Sequence, residues 1–254
     1  MLPFQLTYME TQKRGNTSDE YEDAYAYSPR MKRFTQTSKT LGVAMADGAT
    51  EGAFSQQWAR LLVDDYVRQP YVRRGTMLRH SRRLAAEWYR KVWKPGLPWY
   101  TEERIRIGAF STLLGLRIRR DSGDWKAISI GDTCGFQVRN DKLMLAWPLG
   151  KKEDFGRSPV LLSTNNAALE NIGKRVVITN GQANMGDIFI LATDALSAWF
   201  LEQNEKGKRP WLTLMEIERA QEPQGFKAWI DDLRNNSQIR NDDVTCIICR
   251  LVEA

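Results

Sequence analysis

The chain has 254 residues, of which 42% are hydrophobic and 27% charged, a composition typical of a globular protein with a substantial core. No apolar run approaches the roughly 20 residues that cross a bilayer, and the N-terminus lacks the basic start and apolar centre of a signal peptide, so we expect a cytoplasmic protein. One histidine excludes a multi-histidine zinc site, and three cysteines argue against a disulfide framework.

The first part of the chain predicts short strands followed by two helices. FQLTYMET, EDAYAYS and TLGVAMAD have the composition of strands. GAFSQQWARLLVDDYV places Phe54, Trp58 and Leu61 at helical spacing. Residues 76–94 form a second helical pattern, which ends at a Pro-Gly pair.

The remainder predicts hairpins, then helices, then one strand. Strands are expected in IGAFSTLLGLRIRR, WKAISIGD, GFQVRNDKLMLAW, RVVITN, DIFILATD and DVTCIICRLV, with turn chemistry in DSGD and RNDK. Helices are expected in ALSAWFLEQNEK, WLTLMEIERAQ and FKAWIDDLRNN. Residues 148–172 are polar and irregular. Antiparallel hairpins with helices in blocks favour an α+β layered fold, and the absence of a linker favours one domain over residues 1–254.

Carboxylates stand at the ends of several predicted strands. Three apolar runs end in an aspartate, and two acidic pairs open further strands: Asp47, Asp132 and Asp194, with Asp242-Asp243 and Glu22-Asp23. Carboxylates that converge need cations between them, and all-oxygen sites favour Mg²⁺ or Mn²⁺. Two such ions can hold one hydroxide and orient a phosphate. The alternative is that each aspartate is only a turn or helix-capping residue.

The CIIC motif has the spacing of metal and redox sites, but it lies in an apolar, β-branched run. On a strand, Cys246 and Cys249 point to opposite faces and cannot converge on one ion. We therefore expect both to be buried, reduced core residues.

Positive charge is concentrated in one segment. Residues 68–94 hold nine Lys or Arg and one Glu, a net +8, so the rest of the chain carries +6 minus +8, or about −2. One interpretation of helix 73–94 is a solvated face with Leu84 and Trp88 packed inward. The other is a docking surface for an acidic partner, an anionic membrane or nucleic acid, which makes a nucleic-acid-binding protein an alternative function.

Six motifs occur in an order that resembles the metal-dependent type-2C (PPM) serine/threonine protein phosphatases, especially their compact bacterial branch. The motifs are EDAYAYS, AMADGATEG, STLLGLRI, ISIGDTCGF, FILATDAL and NDDVTCIIC, and the match spans roughly residues 20–252. The resemblance implies a single-domain α-β-β-α layered sandwich of two mainly antiparallel sheets flanked by helix pairs. It also implies phosphorylated protein substrates and a partner serine/threonine kinase.

The resemblance assigns roles to the strand-end residues. Asp47 matches the aspartate that bridges two metal ions, and the carbonyl of Gly48 matches a backbone ligand. Asp194 and Asp242 match ligands of the second ion. Further matches are Glu22 and Asp23, the early acidic pair, and Asp132, which in bacterial members helps to hold a weaker third metal.

The remaining implications concern phosphate, water and selectivity. The resemblance implies a metal-activated hydroxide that attacks the phosphorus of phosphoserine or phosphothreonine, and a basic residue for the phosphate, for which Arg14 is the candidate. Residues 148–172 match a variable flap for substrate selection, or are an ordinary surface loop. Ala195 replaces the usual glycine and Ala198 a residue that is sometimes acidic, which keeps a catalytically weak, phosphatase-like binding domain as a further alternative.

Overall fold

The computed structural model describes residues 1–28, 38–50, 52–156, 158–165, 172–222 and 224–252. Its strands are β1 (Phe4–Thr11), β2 (Ala24–Ser28), β3 (Thr40–Ala46), β4 (Phe110–Ser111), β5 (Leu113–Arg119), β6 (Asp124–Ile130), β7 (Cys134–Arg139), β8 (Lys142–Trp147), β9 (Leu162–Ser163), β10 (Val177–Gln182), β11 (Ile188–Ala192) and β12 (Val244–Leu251). Its α-helices are α1 (Ser55–Arg68), α2 (Arg74–Val92), α3 (Trp99–Ile107), α4 (Asp194–Glu205), α5 (Pro210–Ala220) and α6 (Gly225–Asn235).

The chain divides into two compact units, each built from separate segments. Unit 1 comprises Glu22–Thr133 and Pro159–Ala183, together with Met1. Unit 2 comprises Leu2–Tyr21, Cys134–Ser158 and Asn184–Ala254. The expectation of one domain over residues 1–254 stays a prediction.

Unit 1 is built on an antiparallel sheet with the strand order β10-β6-β5-β3-β2. Strand β3 is buried along almost its whole length, which explains its continuous apolar run. Helix α1 packs on β2 and β3, and α2 packs on α1. Trp58, Leu62 and Tyr66 recur at intervals of four along α1 and are fully buried, because this spacing gives a helix one apolar face.

Unit 2 is built on a second antiparallel sheet with the order β1-β12-β11-β7-β8. Helix α4 packs on β12, α6 packs on β1, and α5 contacts both helices. The core joins sheet and helix through Phe136 and Phe200, whose ring centroids are 4.1 Å apart. Asn140 and Asp141 both have positive φ at the β7–β8 turn, which is the type I′ geometry that the RNDK stretch predicts.

The predicted fold class is confirmed: the structure is α+β, with two antiparallel sheets and helices packed against each of them. The predicted elements differ in detail around residues 94–113. Helix α2 begins at Arg74 and ends at Val92, and the helix that follows it, α3, was not predicted. Only Ile105 of α3 is buried, so its sequence lacks the periodic apolar face by which a helix is recognised.

The expected flap has some local structure where the structure describes it. Residues 157 and 166–171 lie outside the described residues. The remainder contains a short helix at Lys152–Asp154 and strand β9, which pairs with β4. Its roles as selectivity flap or plain loop both remain predictions.

The cysteines are buried, as predicted. All three are free and buried, and Cys246 contributes to the core of unit 2. Burial raises the pKa of Cys249 to about 12, and it raises that of Cys246 further. In the described part of the chain, no helix has both the length and the hydropathy that crossing a bilayer requires.

Candidate active site

The predicted ligands of unit 1 lie at one end of its sheet. Asp47 and Gly48 directly follow β3, and Glu22 and Asp23 directly precede β2. The two strands are antiparallel, with Ala24 opposite Ala46, so the start of β2 and the end of β3 are neighbours. The register therefore brings both acidic segments to the same sheet end.

Side-chain hydrogen bonds fix the backbone of Asp47. Its N–H donates to Oγ1 of Thr112 at 2.8 Å, and its carbonyl accepts from Oγ of Ser111 at 2.8 Å. Oγ1 of Thr112 lies 2.6 Å from Oγ1 of Thr133, the residue after Asp132. This network links the turn at Asp47 to the turn at Asp132, because β3, β5 and β6 are consecutive in the sheet.

Gly48 is required by close packing. A Cβ atom at this position would lie 2.8 Å from the carbonyl oxygen of Glu22 and 3.1 Å from the backbone of Ser55. Thr50 adds a second link, since its hydroxyl donates to Oε2 of Glu22 at 2.5 Å. The Asp47-Gly48 turn and the early acidic pair are thus packed together by their backbones.

Unit 2 presents a second group of predicted ligands in a similar way. Asp194 follows β11 and Asp242 precedes β12, and these strands are antiparallel neighbours. At this end the N–H of Thr193 donates to the carbonyl of Thr245 at 3.1 Å, and the N–H of Thr245 donates to Oγ1 of Thr193 at 3.0 Å. The buried guanidinium of Arg234 donates to the carbonyl of Asp242 at 2.6 Å and so fixes the approach to β12.

Asp194 has an environment unlike that of a capping residue. It is the first residue of α4, and the preceding N-cap, Thr193, makes no side-chain capping bond. Oδ1 of Asp194 is buried and has no hydrogen-bond partner among the described residues, and Oδ2 accepts a hydrogen bond from Arg240. Burial raises the pKa of Asp194, which the Arg240 cation partly offsets.

Arg240 was missed by the sequence interpretation. Its guanidinium also lies 3.8 Å from Oδ2 of Asp242, so one cation faces both predicted ligands of unit 2. The only local signal is a basic residue two positions before the acidic pair, and nothing in the sequence relates it to Asp194, 46 residues earlier.

Arg14, the predicted phosphate-binding residue, is engaged elsewhere. Its guanidinium donates to Oδ1 of Asn235 at 2.9 Å and to the carbonyl of Asp231 at 3.1 Å, both on α6. Its backbone N–H donates to Asn241, one residue before Asp242. Arg14 therefore supports the loop that carries a predicted ligand, and its role toward phosphate stays a prediction.

A cavity of about 380 Å³ lies beside Asp194 and Arg240, within unit 2. Its lining combines apolar side chains with charged ones, among them Phe155, Trp199 and Lys152. The cavity thus places an apolar surface next to a buried carboxylate and three cationic side chains, those of Lys152, Arg234 and Arg240.

The donor set fits a hard divalent cation. Among the described residues, no group of three or more His, Cys, Asp or Glu side chains is arranged to hold a metal ion. The predicted ligands are nevertheless all oxygens, and the unpartnered, buried Oδ1 of Asp194 offers a lone pair that only a cation or a donor can satisfy.

Comparisons with known proteins gave matches at the level of structure only. No family model matches the chain, and no curated protein matches its sequence. One similar solved structure is the catalytic domain of the serine/threonine protein phosphatase PstP in complex with two manganese ions, with a TM-score of 0.57, 17% identity and coverage of 99% of this chain and 100% of that one. Another is RsbX in complex with magnesium, with a TM-score of 0.54, 16% identity and coverage of 98% and 95%.

A third similar structure is the S. agalactiae serine/threonine phosphatase, with a TM-score of 0.53, 13% identity and coverage of 99% of this chain and 100% of that one. At these identities the likeness concerns the fold. The fold that the sequence motifs implied is therefore found in the structure, over almost the full chain.

Proposed function

We propose that the chain is a metal-dependent protein phosphatase that hydrolyses phosphoserine and phosphothreonine. One observation carries this function: on a fold found in serine/threonine phosphatases, the buried Oδ1 of Asp194 has no hydrogen-bond partner among the described residues, at the strand end where the family motif expects a metal ligand. Membership of the type-2C family, and of its compact bacterial branch, is part of the same proposal.

The proposed metal ligands are the residues at the strand ends. Asp47 and the carbonyl of Gly48 would serve as ligands from unit 1, with the acidic pair Glu22-Asp23 beside them. Asp194 and Asp242 would serve from unit 2. Asp132 would hold a weaker third ion. Two Mg²⁺ or Mn²⁺ ions supply, when bound, charge neutralisation and an activated water.

The chain's own contribution is positioning and charge. Hydrogen bonds with Thr112 and Ser111 fix the backbone of Asp47, and so the point from which its side chain extends. Arg240 faces the site from the solvent side and is the better-placed candidate for the substrate phosphate, because the guanidinium of Arg14 is bound to α6. The cavity next to Asp194 would receive side chains that flank the phosphorylated residue.

A second candidate function is a phosphatase-like domain that binds without turnover. The pairing of Arg240 with Asp194 favours this binding domain, because the Arg240 cation competes for a ligand that catalysis needs.

We also propose a cytoplasmic location, since three reduced, buried cysteines require no oxidising compartment. A partner kinase that supplies the phosphoprotein is part of the same proposal.

Titration of the protein with Mn²⁺, using an aryl phosphate as substrate, tests this function. We expect phosphate release that rises with metal and stops with a chelator. Metal binding without phosphate release would contradict the enzymatic function and support the phosphatase-like binding domain.

A further inference from the structure

The C-terminal half of α2 and the start of α3 carry large aromatic side chains that face solvent. Tyr89, Trp93, Trp99 and Tyr100 are exposed by 49%, 42%, 75% and 57%. They form two local pairs: the rings of Tyr89 and Trp93 are stacked with centroids 6.5 Å apart, and those of Trp99 and Tyr100 meet edge to face at 6.1 Å. Exposed rings in such number are unusual for a globular surface and mark contact sites.

The packing of α2 directs this face outward. Arg79, Arg82, Ala86, Tyr89 and Trp93 follow one another at spacings of three and four, which places them on one side of the helix. All five are exposed, whereas the opposite side is buried in the core of unit 1. The six-residue step from Trp93 to Trp99 limits the distance between their Cα atoms to about 21 Å at most.

Positive charge surrounds the rings. Residues 68–107 contain eleven Lys or Arg and three Glu. Some of these cations have structural partners, since Arg83 pairs with Asp65 and Lys91 with Glu87. Within the described ranges, Arg82, Lys94 and Arg106 form no ion pair, and all three are exposed. We call these three cations and the four rings the aromatic–basic surface.

We propose that the aromatic–basic surface binds the surface of an anionic membrane. Tyrosine and tryptophan are the side chains that favour the boundary between headgroups and hydrocarbon, because each combines an apolar ring with a polar group. Unpaired basic side chains beside them are attracted to anionic headgroups. Proteins that bind single-stranded nucleic acid also use aromatic rings and cations, but there the bases stack on the ring faces within a groove. Here the rings are exposed side chains on and next to helices, where each contacts its neighbour in a pair.

Membrane binding of this kind is peripheral and does not depend on catalysis. None of the surface residues belongs to the proposed active site. The consequence for function is location: a phosphatase held at a membrane acts on phosphoproteins there.

Vesicle co-sedimentation of the full chain tests the surface. We expect binding to vesicles of 70% phosphatidylcholine and 30% phosphatidylglycerol, little binding to pure phosphatidylcholine, and weaker binding as salt rises. The double variant Arg82→Gln/Lys94→Gln should bind about 25-fold more weakly, since each basic side chain near an anionic surface contributes about fivefold. Trp93→Ala/Trp99→Ala should weaken binding about tenfold, because less ring area leaves water.

Matched controls come from unit 2. Tyr8→Ala removes a ring that is also 49% exposed, and Lys208→Gln removes an exposed cation, and both variants should bind like the wild type. Unchanged thermal unfolding midpoints verify that the variants fold. Absence of binding to anionic vesicles at low salt would overturn the assignment. Equal loss in the control variants would also overturn it, as would binding of single-stranded RNA in place of vesicles with the same dependence on Trp93 and Trp99.

Discussion

Arg240 donates a hydrogen bond to the carboxylate of Asp194, and its guanidinium also faces Asp242. Both aspartates are proposed ligands of the same divalent ion. The chain therefore places a cation of its own where the proposed metal must bind. Because like charges repel, the guanidinium beside these carboxylates opposes the binding of the metal.

Replacing Arg240 should strengthen metal binding. The side chain is 65% exposed, so its charge is screened and we expect a moderate effect: Arg240→Gln should raise the Mn²⁺ affinity about five- to tenfold. Isothermal titration calorimetry measures this directly, without substrate. Arg240→Lys, which keeps the charge, serves as the control and should retain the wild-type affinity. Weaker Mn²⁺ binding by Arg240→Gln would show that the arginine supports the site.

The variant Asp194→Asn should lose metal binding but keep its stability. The carboxylate is buried with one oxygen unpartnered, and its burial raises its pKa, so a neutral amide relieves a cost in the folded state. In chelator, the variant should unfold at the same temperature as the wild type or higher. Added Mn²⁺ should raise the unfolding midpoint of the wild type but not that of the variant. A marked loss of stability in chelator would instead assign Asp194 a structural role.

Asp187, by contrast, should be essential for stability. It is fully buried, and it accepts hydrogen bonds from Nε of Arg139 at 2.6 Å and from Nε2 of Gln137 at 2.8 Å. Asp187→Ala leaves these donors without an acceptor, which should cost roughly 3–5 kcal/mol in the free energy of unfolding. Urea denaturation gives this value, and Asp121→Ala, at an exposed turn, should change it by less than about 0.5 kcal/mol. Equal losses in the free energy of unfolding of Asp187→Ala and Asp121→Ala would contradict an essential role of Asp187 in stability.

The buried cysteines should be unreactive in the folded protein. Only the thiolate reacts, and burial raises the pKa of Cys249 to about 12, so the unreactive thiol form dominates at pH 8. A raised pKa means that reactivity appears only as the pH rises toward that value. A chromogenic disulfide reagent at pH 8 should therefore label the native chain very slowly. In urea, where the chain is unfolded, the same reagent should label three thiols per chain. Rapid labelling of Cys246 and Cys249 in the native chain would instead support a redox role for the CIIC motif.

The local patterns of the sequence predicted most of the fold. Buried strands such as β3 are continuous apolar runs, and the Asn140-Asp141 turn is encoded by residues that tolerate positive φ. Helix α3 was missed because it buries only Ile105. The strand-end acids were predicted because their positions depend on the ends of single strands, which local patterns reveal.

Contacts that depend on the assembled fold were not predictable in the same way. Arg240 meets Asp194 only because β11 and β12 are antiparallel neighbours, and no local pattern contains that pairing. The engagement of Arg14 with α6 likewise joins residues more than 200 positions apart. The place of Arg14 before the acidic pair Glu22-Asp23 in the sequence carries no information on what its guanidinium contacts.

The most direct test of the proposed function is the release of phosphate from a phosphothreonine peptide in the presence of Mn²⁺, compared between the wild type and Asp47→Asn. The carboxylate of Asp47 would hold metal, and the hydrogen bonds of Asp47 with Thr112 and Ser111 involve only its backbone, so the variant should fold normally. We expect metal-dependent turnover by the wild type and a loss of at least about a hundredfold in the variant. Wild-type turnover by Asp47→Asn, or no metal-dependent turnover by the wild type, would contradict a metal-dependent protein phosphatase.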